Sequence, residues 1–246
     1  MDRSLEEKGI TVIYRDSQYK KKIKLIVNIG NLLGNGEHDP DKIARKLNKR
    51  IGEYFCFKYK LDDFFISEMR LVIDINVGTR DKVAAYLKVL RRIGRAKGFS
   101  PVSYECFENI DCFCLEGNSN GIGVMIYEME GLYRKQFNDG DIGRKRFKEL
   151  IKESEGILRT EVRLTKIKAV RAYADEDDIF KQIINLSEKR QDIFLEVFVR
   201  IVPFGGVCKG HSADFSKKIF SGVHFTLYQA LYLILHGLRA GLAEME

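Results

Sequence analysis

Proline is scarce. Only Pro40, Pro101 and Pro203 occur among 246 residues, so no proline-rich linker divides the chain. A long apolar run is also missing. The stretch 225–238 is interrupted by Gln229 and His236 and is shorter than the roughly 20 residues that span a bilayer. The first ten residues are charged and lack the apolar core of a secretion signal, so a cytoplasmic location and no membrane partner are expected. The five cysteines (Cys56, Cys106, Cys112, Cys114 and Cys208) are odd in number and follow no framework spacing, which argues against a disulfide scaffold. Cys112 and Cys114 form one C-x-C pair with no second pair or nearby histidine, and they read as small buried hydrophobes rather than zinc ligands. The four histidines (His38, His211, His224 and His236) are scattered without ligand spacing, and His211 and His224 read as surface or capping residues.

What remains is ordinary globular composition, 45% hydrophobic and 31% charged. The net charge is +7, and its distribution says more than its total. Residues 1–60 carry 14 Lys/Arg against 8 Asp/Glu, residues 80–98 carry 7 against 1, and residues 131–171 carry 12 against 6. Residues 99–130 hold no Lys or Arg and six acids: Glu105, Glu108, Asp111, Glu116, Glu128 and Glu130. An acidic island between basic stretches suits a metal site beside a polyanion-binding surface. The plainer account is a solvated surface with chance asymmetry.

Hydrophobic periodicity predicts a strand over 20–29, a Gly/Asn-rich loop over 30–38, and a helix over 41–54 opened by Asp39-Pro40-Asp41. The clearest strand is 64–77, where Leu71, Ile73, Ile75 and Val77 alternate with Arg70, Val72, Asp74 and Asn76. A helix over 81–97 follows, then strands near 103–107, 111–116 and 122–129, a short basic helix at 144–154, and a strand over 157–164. That order implies an α+β fold: a mixed or antiparallel palm-like sheet with helices on one face. Residues 173–246 read as a helical annex to a domain over 1–172, with helices at 179–186, 192–202 and 226–238.

Three constellations carry chemistry. Asp74 and Asn76, two residues apart on one strand face, can reach a single hard cation. The segment 117–135 runs from a turn into Ile126-Tyr127-Glu128 and a basic tail. A tyrosine beside metal-bound carboxylates is what transesterification of a phosphodiester requires, because a phenol is hard to ionise near neutral pH. Arg159, Glu161 and Arg163 line one face of a strand, either as an ion-paired surface or as a phosphate clamp. Tyr54, Phe55, Phe57 and Tyr59, interleaved with Lys58 and Lys60, fit either a groove for single-stranded DNA or core.

In this order the pieces resemble replication initiation proteins of small plasmids and mobile elements, of the Rep_trans or replication-initiation-factor type. Asp74 in VIDINV matches the family's first element. Ser119 to Tyr127 with Glu128 matches its S-x-x-x-x-x-x-x-Y-[DE]-K-x-x-E element. Arg159, Glu161, Arg163 and Leu164 match its R-x-E-x-R-L strand. The resemblance spans about residues 20 to 170. It implies a palm-like sheet related to the HUH endonucleases, with Tyr127 as nucleophile and Tyr133 as the alternative. It also implies that Asp74 and Glu128, supported by Glu161, hold Mg²⁺ or Mn²⁺. Met129 stands where the family often has Lys and Leu132 where it often has Glu, and no H-x-H pair occurs.

Two expectations follow. One is a DNA-nicking initiator that acts on single-stranded DNA or an origin hairpin. The other is a catalytically inactive DNA-binding module of a plasmid, phage or mobile element. Arg91, Arg92, Arg95, Arg134, Lys135, Arg159 and Arg163 are the expected DNA contacts. The apolar stripe Leu227, Leu231, Ile234 and Leu238 is the expected face for a homodimer or a replication partner. With no nucleic-acid role at all, that stripe would mark an interaction protein.

Overall fold

A computed structural model describes residues 9–17, 20–34, 39–93, 98–102, 110–117 and 119–201. The expected strand at 103–107, the helix at 226–238 with its apolar stripe, and all four histidines lie outside the described residues. Contacts group the described chain into two units, residues 9–66 with 171–190, and residues 67–170 with 191–201. This grouping runs differently from a boundary at 172, because the segment 171–190 belongs with the N-terminal residues.

The first unit opens with an antiparallel hairpin, β1 (Ile10–Ser17) and β2 (Lys20–Val27). A short helix α1 (Ile29–Leu33) takes up the last residue of the expected strand and the start of the stretch read as loop. Helix α2 (Pro40–Tyr54) starts where the sequence indicates. The Asp39 side chain accepts from the Lys42 amide at 3.2 Å, and proline occupies the first turn, where no amide hydrogen is needed. Its buried stripe, Ile43, Ala44, Leu47 and Ile51, packs with Ile10, Leu32 and Leu61. Helix α7 (Ile179–Glu188), capped by Asp178, completes that core with Ile179 and Ile183.

The second unit is a five-stranded sheet in which every neighbouring pair is antiparallel. Its strands are β3 (Met69–Asn76), β4 (Phe99–Pro101), β5 (Cys112–Gly117), β6 (Ile122–Glu128) and β7 (Ile157–Leu164), in spatial order β3-β7-β6-β5-β4. Helix α3 (Arg80–Ile93) links β3 to β4 at the opposite edge, and it buries Val83, Leu87 and Leu90. Helices α4 (Met129–Asn138) and α5 (Arg144–Ser154) connect β6 to β7, with Phe137 stacked on Phe147 at 4.3 Å between ring centres. Helix α6 (Ile167–Arg171) follows β7, and α8 (Arg190–Ile201) buries Ile193, Phe194, Val197 and Phe198. The α+β class and the antiparallel sheet are therefore as the periodicity implies. No described helix is long and apolar enough to cross a membrane.

Strand β7 enters between β6 and β3 through a tight turn. Gly156 has φ +70°, and a Cβ there would lie 2.6 Å from the carbonyl of Gly78, so only glycine fits. The Val77 amide donates to the Gly156 carbonyl at 2.9 Å and begins the β3–β7 ladder.

Candidate functional site

Period-2 alternation sorts the sheet residues onto two faces. Register places Asp74, Arg159, Tyr127 and Cys112 in one row across β3, β7, β6 and β5. The row two residues further along each strand holds Val72, Glu161, Met125 and Cys114, and the next holds Arg70, Arg163, Gly123 and Glu116. Strand pairing thus brings together residues separated by tens of positions in the chain.

Within this face Asp74, Arg159, Glu161, Arg163 and Glu116 are each engaged by a neighbour, while Arg70 stands exposed. Arg159 donates from Nε and Nη2 to the two oxygens of Asp74, each at 2.6 Å. Despite burial, which alone would lower it, the guanidinium pKa is raised by the hydrogen bonds and charge of Asp74. Tyr127 is 2% exposed, and its hydroxyl donates to Glu161 Oε1 at 2.6 Å, a diagonal contact between β6 and β7. Burial first, then the Glu161 charge and hydrogen bond, push the Tyr127 hydroxyl up. Arg163 Nη1 lies 3.6 Å from Glu116 Oε1, reaching across β6 at Gly123. A Cβ at Gly123 would meet Glu116 Cγ at 2.9 Å, so that side chain crosses a position left open by glycine. Cys114, Met125, Tyr127 and Met129 form a buried cluster with Ile110, against which Leu132 and Tyr133 of α4 pack. The Cys114 thiol is pushed up to about 12, chiefly by burial.

Glu128 follows Tyr127 in the chain and so belongs to the opposite face of the sheet. Its Oε1 accepts from Arg80 Nε at 2.7 Å. Arg80 Nη1 stands 3.8 Å from Glu130, and Glu130 in turn accepts from Arg134 Nε at 2.8 Å and Nη2 at 2.5 Å. Burial raises the Glu128 carboxyl, and the Arg80 charge opposes that shift.

These positions decide how the expected metal set fits. Asp74 and Glu161 share a face but are engaged by Arg159 and Tyr127, while Glu128 stands on the other face with Arg80. The three carboxylates do not converge, and among the described residues no group of three or more His, Cys, Asp or Glu side chains is placed to hold a metal ion. The residues present therefore do not fit Mg²⁺ or Mn²⁺. Tyr133, the other tyrosine considered, is half-buried on α4, and burial raises its hydroxyl too.

The expected DNA contacts are also committed. Arg91 Nη2 pairs with Asp111 at 2.8 Å, and its Nε donates to the Cys112 carbonyl at 3.0 Å. Arg134 is held by Glu130 and Lys135 by Asp139 at 3.4 Å. Arg159 and Arg163 are engaged as described above. The Arg92 side chain and Arg95 lie outside the described residues. Of the aromatic set, Tyr54, Phe55 and Tyr59 pack against the core of the first unit, and only Phe57 is exposed, at 75%.

A different cationic surface emerges on α5. Arg144, Lys145, Lys148 and Lys152 are exposed, and none forms an ion pair with a described residue. At 100° per residue, Arg144, Lys148 and Lys152 fall in one row with Lys145 beside it. Phe147, Leu150, Ile151 and Ser154 turn inward, and the Arg146–Glu149 pair at 3.2 Å occupies the other flank. The signal was present in the sequence as the i, i+4, i+8 spacing of these cations within a stretch read only as a basic helix.

No protein-family model, curated protein or solved structure matches the chain.

Proposed function

We propose that this chain is a non-catalytic DNA-binding module of the replication-initiator kind, which holds single-stranded or hairpin DNA through the exposed cationic row of α5. The observation that carries this reading is that row: four Lys/Arg side chains on one helical flank, free of carboxylate partners among the described residues. Such cations displace the counterions condensed on the phosphates, and counterion release supplies most of the affinity of a sequence-independent contact. The arrangement around Tyr127 supports binding over nicking. A nucleophilic phenolate needs access to phosphorus and a lowered pKa, whereas Tyr127 is buried and its pKa is raised.

Fluorescence anisotropy with a labelled single-stranded oligonucleotide, titrated over a salt series, tests this. The wild type should bind with a steep salt slope. Replacing Arg144, Lys145, Lys148 and Lys152 by Glu should flatten the slope by about 3 if all four contact phosphates, at roughly 0.7 per contact on a single strand. Unchanged binding in that variant would remove α5 from the interface. An SDS-resistant protein–DNA adduct formed with Mn²⁺, and lost in Tyr127→Phe, would overturn the non-catalytic reading in favour of the nickase.

A further inference from the structure

Strand β3 stands at the edge of the five-stranded sheet, paired with β7 on one side only among the described residues. The Val77 amide points at β7, where it donates to Gly156. In an antiparallel ladder, successive residues direct their amide and carbonyl to alternate sides. Met69, Leu71, Ile73 and Ile75 therefore share the β7 side with Val77, while Arg70, Val72, Asp74 and Asn76 present their backbone groups to the open edge. The same even-numbered residues carry exposed side chains, and Val72 is an apolar one at 46% exposure.

We propose that this edge pairs with the β3 edge of a second copy of the chain, antiparallel and about a two-fold axis at Val72, which joins two five-stranded sheets into one. Charge favours one register, the one that sets Arg70 opposite Asp74; an axis at Ile73 would instead set Arg70 opposite Asn76 and Asp74 opposite Val72. An axis at Arg70 sets Arg70 against its own symmetry mate, and an axis at Asp74 does the same for Asp74; both oppose like charges. The axis at Val72 sets Arg70 opposite Asp74 of the second copy, twice, and brings the two exposed valines together. It also sets Leu71 opposite Ile73 on the other face, both half-buried in a single chain. Asp74 already accepts from Arg159, but a carboxylate has about four lone-pair sites and can accept from a second guanidinium. An isologous contact of this kind closes on itself, so the edge is consumed and no fibre grows.

The test uses the full chain. Opposed residues of a hydrogen-bonded antiparallel pair have Cα atoms about 5.5 Å apart, within the range a disulfide accepts. Val72→Cys should give a disulfide-linked dimer under mild oxidation. Arg70→Cys, whose symmetry mate lies about 14 Å away along the strands at roughly 3.4 Å per residue, should not. Sedimentation should find a dimer for the wild type and a monomer for Arg70→Asp, with unchanged far-UV circular dichroism. A monomeric wild type overturns the proposal, as does equal cross-linking of the two cysteine variants. A dimer indifferent to Arg70→Asp places the interface elsewhere and also overturns it. DNA binding through α5 is read separately, so neither proposal depends on the other.

Discussion

Asp74 and Arg159 are 85 residues apart in the chain and are joined by two parallel hydrogen bonds of 2.6 Å across β3 and β7. A bidentate pair of this kind fixes the guanidinium plane as well as its charge. Asp74 is exposed enough for solvent to screen the attraction, so the coupling should be about 1 kcal/mol. A double-mutant cycle with Asp74→Ala and Arg159→Ala, followed by urea unfolding, measures it directly.

Tyr127→Phe removes the hydroxyl donor from Glu161 and leaves a carboxylate that is 8% exposed without that bond. The expected cost is about 1–3 kcal/mol of stability. Tyr127→Phe with Glu161→Gln together should lose less than the sum of the two single changes, because the pair is removed as a unit.

The Glu128 carboxyl is raised above its ordinary value of 4.5. The folded state then binds the proton more tightly than the unfolded state does. The stability Glu128 contributes is full below 4.5 and declines as pH rises through the elevated pKa. The difference in unfolding free energy between the wild type and Glu128→Gln should therefore change in that window, with the wild type losing ground as pH rises. A difference that is flat with pH would contradict the raised value.

Thiol labelling separates the cysteines by environment. Cys56 is exposed, while Cys114 is buried with its thiol pushed up to about 12. The thiolate is the reactive form, so iodoacetamide at pH 8 should modify Cys56 readily and spare Cys114 until the chain is unfolded. Peptide mapping by mass spectrometry reads the two sites separately.

Gly156→Ala forces a Cβ to within 2.6 Å of the Gly78 backbone at a positive φ. Backbone cannot yield as a flexible side chain does. A loss of about 1–3 kcal/mol is expected from the strained backbone alone, visible as a lower urea midpoint.

The periodicity of 40–54 and 69–76 made those elements legible, because each turns its apolar residues to one side and its polar residues to solvent, and the alternation of 157–164 marked a strand although both of its faces are covered. Helix α4 was not legible. The segment up to residue 135 read as a strand ending and a basic tail, and the burial of Met129 and Glu130 follows from tertiary contacts with Ile110 and Arg80. The site divided in the same way. That Arg159, Glu161 and Arg163 share a strand face could be read from alternation, but their partners Asp74, Tyr127 and Glu116 could not, since register is a long-range property. A carboxylate read as a metal ligand and a carboxylate held by arginine look alike until the neighbouring strand is known.

Strand β7 is the last of the sheet's described strands to be made and lies between β3 and β6. On a ribosome, β3 waits from residue 76 until residue 157 before the strand it pairs with among the described residues begins to be made. The three strands β4, β5 and β6 can form a meander in the interval, but the unit cannot close until synthesis passes Leu164. A nascent chain that has exposed β6 but not yet β7 carries an unpaired edge on β6 as well as the orphan strand β3, and that interval would be its greatest exposure to chaperones and proteases.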